Sequence, residues 1–188
     1  MTLSVDAEWT ARLGAHACVS AVTARLGGMW HKRCIMSVGA QSLILKASES
    51  LNACLVEIGT KKYLPTAEIL FLEDDDNAGV FLVVRGKVCL SMKGMPKLDR
   101  LVASGSLLGL PSSFTGRPYT LTATAMTEAA AVHVARKDFL RLMLKRPDLC
   151  REATEILGRE MTFIQSALKE RRRQTASAGI YSSNVAVV

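Results

Sequence analysis

Gly79–Lys87, GVFLVVRGK, and Gly105–Pro111, GSLLGLP, decide how this chain is read. The apolar run Val80–Val84 predicts a strand buried on both faces. Arg85-Gly86 predicts a tight turn, and Lys87–Met92 a return strand. Val88, Leu90 and Met92 fall on one side of that strand and Lys87, Cys89 and Ser91 on the other. The second stretch predicts a glycine-pinned loop whose backbone can approach a ligand closely.

Outward from these segments the texture stays short-stranded. Ile69–Leu72 (ILFL) and Leu98–Ala103 read as strands, and Pro118–Ala125 with Ala129–Ala135 as a last hairpin. Glu73–Asn77 is a solvated acidic turn. It has neither the alternating acids nor the central glycine of a calcium loop. Many short strands with glycine turns predict a closed roll or sandwich rather than alternating β and α units. The fold class is mainly β with flanking α: a double-stranded β-roll of the jelly-roll kind, followed by a long C-terminal helix.

Helical periodicity brackets the strands. Residues 3–26 repeat apolar positions at Val5, Trp9, Leu13 and Ala17 and stop at Gly27-Gly28, an N-terminal extension spanning residues 1–40. Gln41–Ile58 is a second helical pattern, with Ser42 as N-cap and Gly59 as stop. It opens a sensor domain over 41–146 that closes with a short helix at Lys137–Lys145. Pro147 then starts a long helix to about Arg173. Asp148 and Glu152 complement its positive end, and Arg171–Arg173 its negative end. Residues 174–188 read as a disordered tail.

The long helix carries two apolar stripes. Cys150, Thr154, Leu157, Met161, Ile164 and Leu168 follow heptad spacing, and Leu149, Ala153, Ile156, Phe163 and Ala167 lie beside them. Together they make a face wider than one roll is expected to cover, so one stripe can pack on the roll and the other on a second copy of the helix; the alternative is that both belong to the chain's own core. The predicted homodimer seam draws on Leu149, Ala153, Ile156, Leu157, Met161, Phe163, Ile164 and Leu168. Gly158 weakens the helix by about 1 kcal/mol and allows close approach of another helix.

Composition narrows the function classes. The 188 residues are 49% hydrophobic and 22% charged, enough for a packed core. No apolar run reaches a membrane span, and the N-terminus carries acid rather than base, so a cytoplasmic protein with no membrane contact is expected. Net charge is +7, which permits nucleic-acid contact without establishing it. Five cysteines with no close pair signal neither a disulfide framework nor a zinc site, and no metal is predicted. His133 sits in an apolar strand, and no nucleophile elbow or phosphate loop occurs, so no enzyme is expected.

The order and spacing of these motifs, from Leu43 to Lys169, resemble the sensor half of Crp/Fnr-type bacterial regulators, a cyclic-nucleotide-binding β-roll with a dimer helix. The resemblance implies a signal-sensing module of transcription regulation. In the binding family, backbone N–H groups and an arginine take the phosphate, and a glutamate directly after a loop glycine takes the ribose hydroxyl. On that pattern the candidate ligand residues are Gly105, Leu107, Leu108, Gly109, Leu110, Arg117, Tyr119 and Thr120. Gly109 is followed by Leu110, so the carboxylate is absent, and a buried ribose hydroxyl would lose about 1–3 kcal/mol. Arg117 fits the phosphate position counted back from the TATA strand but comes too early counted forward from Gly109. The site is therefore expected to be degenerate, with no cofactor; cAMP or cGMP is the alternative ligand.

The residues after Arg173 contain no two-helix pattern, so no specific DNA binding by this chain is expected. Three roles stay open: a dimerising regulatory module that can also pair with full-length regulators, a true receptor for a cyclic nucleotide or other anion, and a non-specific nucleic-acid binder through Lys169 and Arg171–Arg173.

Overall fold

A computed structural model of the chain describes residues 45–182; the predicted helix over 3–26 and the rest of the 1–40 extension lie outside it. Helix α1 spans Glu49–Ile58. The strands are β1 (Thr60–Leu64), β2 (Ile69–Phe71), β3 (Gly79–Arg85), β4 (Lys87–Ser91), β5 (Arg100–Ala103), β6 (Leu107–Leu108), β7 (Thr122–Ala125) and β8 (Ala129–Ala135). Helix α2 (Leu110–Thr115) interrupts them, and α3 (Arg136–Lys145) and α4 (Pro147–Ser182) follow.

Two antiparallel four-stranded sheets, ordered β1-β8-β3-β6 and β2-β7-β4-β5, face each other. The Arg85-Gly86 segment is not the hairpin turn predicted from sequence, because β3 and β4 belong to different sheets. Nor do β7 and β8 form a hairpin. Instead β3–β4 is one bent strand that pairs along its length with β8–β7: Val83 faces Ala131, Arg85 faces Ala130, and Val88 faces Ala125. The register shifts between Val83 and Arg85, and a bulge of this kind bends a strand. Gly86 takes φ +85°, and a Cβ there would lie 2.4 Å from the Glu128 carbonyl oxygen. Glycine is what lets the ribbon turn the corner of the roll.

Three helix boundaries differ from the predictions. Helix α1 starts at Glu49, capped by Ser48, whose hydroxyl accepts from the Leu51 N–H; Ser42, the expected cap, lies outside the described residues. Lys46 pairs with Ser106 as a β-bridge just before it. Helix α2 falls inside the segment expected to be an open loop. Helix α4 runs to Ser182, past Arg173 and into the segment expected to be a disordered tail, since no proline or glycine pair follows Arg173 to stop it earlier.

The core lies between the sheets and under the helices. Leu51 and Leu55 of α1, Phe139 of α3 and Leu149, Ala153 and Ile156 of α4 join Val80, Leu82, Val88, Leu90 and Val132 in one buried cluster. Phe71, Phe81 and Tyr119 stack at its centre, with Phe71 and Tyr119 centroids 4.1 Å apart. Burial of Leu149, Ala153 and Ile156 at 2% exposure or less corrects the predicted dimer seam: this stripe is spent on the chain's own roll. Ser48 also donates from its N–H and hydroxyl to the Glu152 carboxylate, at 2.6 and 2.7 Å, tying α1 to α4. Cys54 and Cys150 carry free thiols, while Cys89 is disulfide-bonded, an engagement the cysteine spacing did not signal.

Candidate functional site

The Gly105–Thr120 segment holds β6, the edge strand of the β1-β8-β3-β6 sheet, followed by α2. Most of its early polar backbone groups are engaged within the roll. The Gly105 N–H donates to the Val83 carbonyl, the Gly105 carbonyl accepts from Ala47, and the Leu107 N–H donates to Leu45. Leu107, Leu108 and Leu110 are buried at 1% exposure or less. These residues form wall rather than cradle.

Gly109 takes φ +80° and starts α2, with its carbonyl accepting from the Ser113 N–H. A Cβ there would lie 3.0 Å from both the Gly79 carbonyl oxygen and the Tyr119 ring, so the glycine is required by close packing. Pro111, in the first turn of α2, has no N–H to offer an anion. The Tyr119 ring fills the space beside Gly109. Its hydroxyl donates to the Gly79 carbonyl at 2.8 Å and accepts from the Gly79 N–H at 3.1 Å. Burial raises its phenol pKa above the ordinary value.

Arg117 stands apart. It is exposed on the turn after α2, and its guanidinium makes no hydrogen bond or ion pair with a described residue. Thr120 is exposed but borders the one small void at the site. That void is about 10 Å³ and is enclosed by Phe71, Leu90, Leu108, Gly109, Leu121 and, from α4, Glu160. It barely reaches the volume one water needs.

The sequence reading missed the two residues that dominate this site's electrostatics. Arg100 of β5 is fully buried, and its Nη2 donates to Glu160 Oε1 at 2.6 Å. Leu90, its register partner on β4, lines the void, so Arg100 stands on the same face of the sheet. The Phe163 ring of α4 covers the guanidinium at 5.0 Å. Arg100 Nε and Nη1 and Glu160 Oε2 have no partner. Burial pushes the Glu160 carboxyl up and the Arg100 guanidinium down, each against the pull of its partner.

Both residues leave a trace in the sequence. Arg100 occupies the alternating buried position between Leu98 and Val102. Glu160 falls in the gap of the second apolar stripe, between Ile156 and Phe163. A charge set into an apolar repeat is the signal that could have found them.

Among the described residues, no three His, Cys, Asp or Glu side chains come together as a metal site. None of the described helices is long and apolar enough to cross a membrane.

Residues 61–146 match the family model of the cyclic nucleotide-binding domain. This segment has the β-roll fold of that domain. Among solved structures, the chain is similar to oxidized CprK in complex with o-chlorophenolacetic acid, at 14% identity, TM-score 0.55, and 69% and 55% of the two chains covered. It is also similar to the second cyclic-nucleotide domain of PKAR bound to Sp-2Cl-cAMPS, at 20% identity, TM-score 0.53, covering 76% and 94%. The catabolite activator protein of Thermus thermophilus is matched at 18% identity and TM-score 0.49, over 73% of this chain and 63% of that one. The chain thus spans less than two thirds of that regulator's length. No curated protein matches the sequence.

Proposed function

We propose that this chain is a regulatory, non-enzymatic β-roll module whose nucleotide pocket is closed and which acts as a homodimer through the half-buried apolar stripe of α4. The observation that carries the reading is the closure at Gly109. Leu110 stands buried where a nucleotide receptor presents a carboxylate, the void is about 10 Å³, and the Glu160 carboxylate borders it. Arg117, the phosphate candidate, is exposed on the turn after α2, and the buried Arg100 is engaged by Glu160. For the dimer, Leu157, Met161 and Ile164 are half-buried and Leu168 is 36% exposed, leaving an apolar stripe on α4 beside the one that packs on the roll.

Calorimetric titration with cAMP and cGMP tests the first half, with Arg117→Ala as control. No heat at millimolar nucleotide is expected. Micromolar binding lost in Arg117→Ala would refute the closed pocket and restore Arg117 as the phosphate partner. Sedimentation of Met161→Glu tests the second half. The wild type is expected to sediment as a dimer and the variant as a monomer with an unchanged circular dichroism spectrum.

A further inference from the structure

Arg117 has no part in the closed pocket, yet it stands on a turn held from several sides. Gly116 ends α2 at φ +73°, and its N–H donates to the Ser112 carbonyl at 2.7 Å. The Ser112 hydroxyl donates to the Pro118 carbonyl at 3.0 Å. Pro118 also disfavours helical backbone at the residue before it, Arg117. Helix α2 separates this turn from the pocket, since Gly109 starts the helix and Gly116 ends it.

A second guanidinium lies on the same turn. Arg136, the first residue of α3, donates from Nε to the Ser113 carbonyl at 2.9 Å. Its Nη2 lies against Gly116, where a Cβ would stand 3.1 Å from it. One of its five N–H groups is thus spent on α2, which leaves the end-on edge, Nη1 with Nη2, for an acceptor. Neither Arg117 nor Arg136 forms an ion pair with a carboxylate of the described residues. In the acidic turn before Asn77, Glu73 accepts from the Lys93 N–H at 2.7 Å and Asp75 from the Leu72 N–H at 2.9 Å.

Two guanidiniums therefore flank one glycine. Each is a rigid fork that matches two oxygens, and together they carry two positive charges. A carboxylate offers one charge and two oxygens, which a single fork saturates. A phosphate monoester offers nearly two charges and three acceptor oxygens, enough for both forks. Gly116, Arg117 and Pro118 are all exposed, so the rest of such a ligand stays in solvent. We infer that Arg117 and Arg136 form a clamp for a dianionic phosphate monoester, carried by a phosphorylated side chain of a partner or by a small phosphoester. The clamp does not depend on whether the pocket at Gly109 is closed.

Amide NMR titration of the full chain at low ionic strength tests the clamp, with capped phosphoserine, AMP, cAMP and adenosine as probes. Phosphoserine and AMP are expected to shift the Gly116 and Arg117 amides and to saturate. The cAMP phosphate carries one charge and should bind at least about fivefold more weakly than AMP; adenosine should leave both amides unmoved. Arg117→Ala should weaken phosphoserine binding about fivefold, and Arg136→Gln likewise. The clamp is refuted if phosphoserine and AMP leave Gly116 and Arg117 unshifted, if cAMP binds as tightly as AMP, or if a folded Arg117→Ala keeps the wild-type affinity. Should Arg136→Gln not fold, the exposed Arg117 decides alone. Tighter binding of phosphoserine than of AMP assigns the clamp to a phosphorylated side chain, and the reverse to a small phosphoester. Shifts at Leu108, Gly109 and Leu110 with cAMP refute the closed pocket and leave the clamp standing.

Discussion

Tyr119→Phe is the sharpest test of how the site is filled. The change removes one oxygen and leaves the ring, so the stack on Phe71 and the contact with Gly109 persist. What is lost are two hydrogen bonds to the backbone of Gly79, at 2.8 and 3.1 Å, deep in a site where Tyr119 is 2% exposed. The Gly79 N–H and carbonyl would each be left without this partner. An orphaned buried group costs about 1–3 kcal/mol, so the two together should cost about 2–6 kcal/mol. At about 3 °C per kcal/mol for a chain of this size, Tm should fall by about 6–18 °C. Urea unfolding followed by circular dichroism should give the same loss with an unchanged slope, since no extra surface is exposed on unfolding. A loss below about 0.5 kcal/mol, the range of an ordinary surface substitution, would refute the reasoning. It would mean that water replaces the hydroxyl and that the space beside Gly109 is open.

Gly158→Ala should stabilise the chain by about 1 kcal/mol, because Gly158 lies inside α4 and a Cβ there meets nothing within 4 Å. A fall in thermal stability instead would show that another helix passes within a methyl group of Gly158. His133 should make stability depend on pH. Burial holds its pKa below the ordinary value, aided by the nearby Lys62 charge and opposed by its hydrogen bond to the Ala78 carbonyl. Between about pH 6.5 and the lower folded value, the unfolded chain therefore binds the proton and the folded chain does not. Stability should fall as pH drops from 7 towards 5, and His133→Gln should flatten that slope in urea titrations at the two pH values.

Much of the roll was legible because its signals are local. Five apolar residues in a row at Val80–Val84 announce a strand covered on both faces, and β3 is buried through Val83, with Val84 emerging at the corner. The long helix was legible from Pro147 and its apolar repeat. Helix α2 was not, since six residues, LPSSFT, are too few to show a period. Its packing supports it, with Phe114 edge-on to Phe139 at 5.5 Å and the Ser113 carbonyl accepting from Arg136 Nε.

At Gly86 the sequence determined that the backbone must turn, because glycine alone takes that φ cheaply. Only the tertiary structure decided that the turn is a corner between sheets and not a hairpin, since strand pairing depends on the distant β7 and β8. At the candidate site, the sequence determined that Leu110 follows the loop glycine and that no carboxylate follows Gly109 directly. It placed a charge in each of two apolar repeats, at Arg100 and Glu160. That these charges meet is a fact of tertiary structure alone: sixty residues separate them in the chain, and only the packing of α4 on β5 brings them to 2.6 Å.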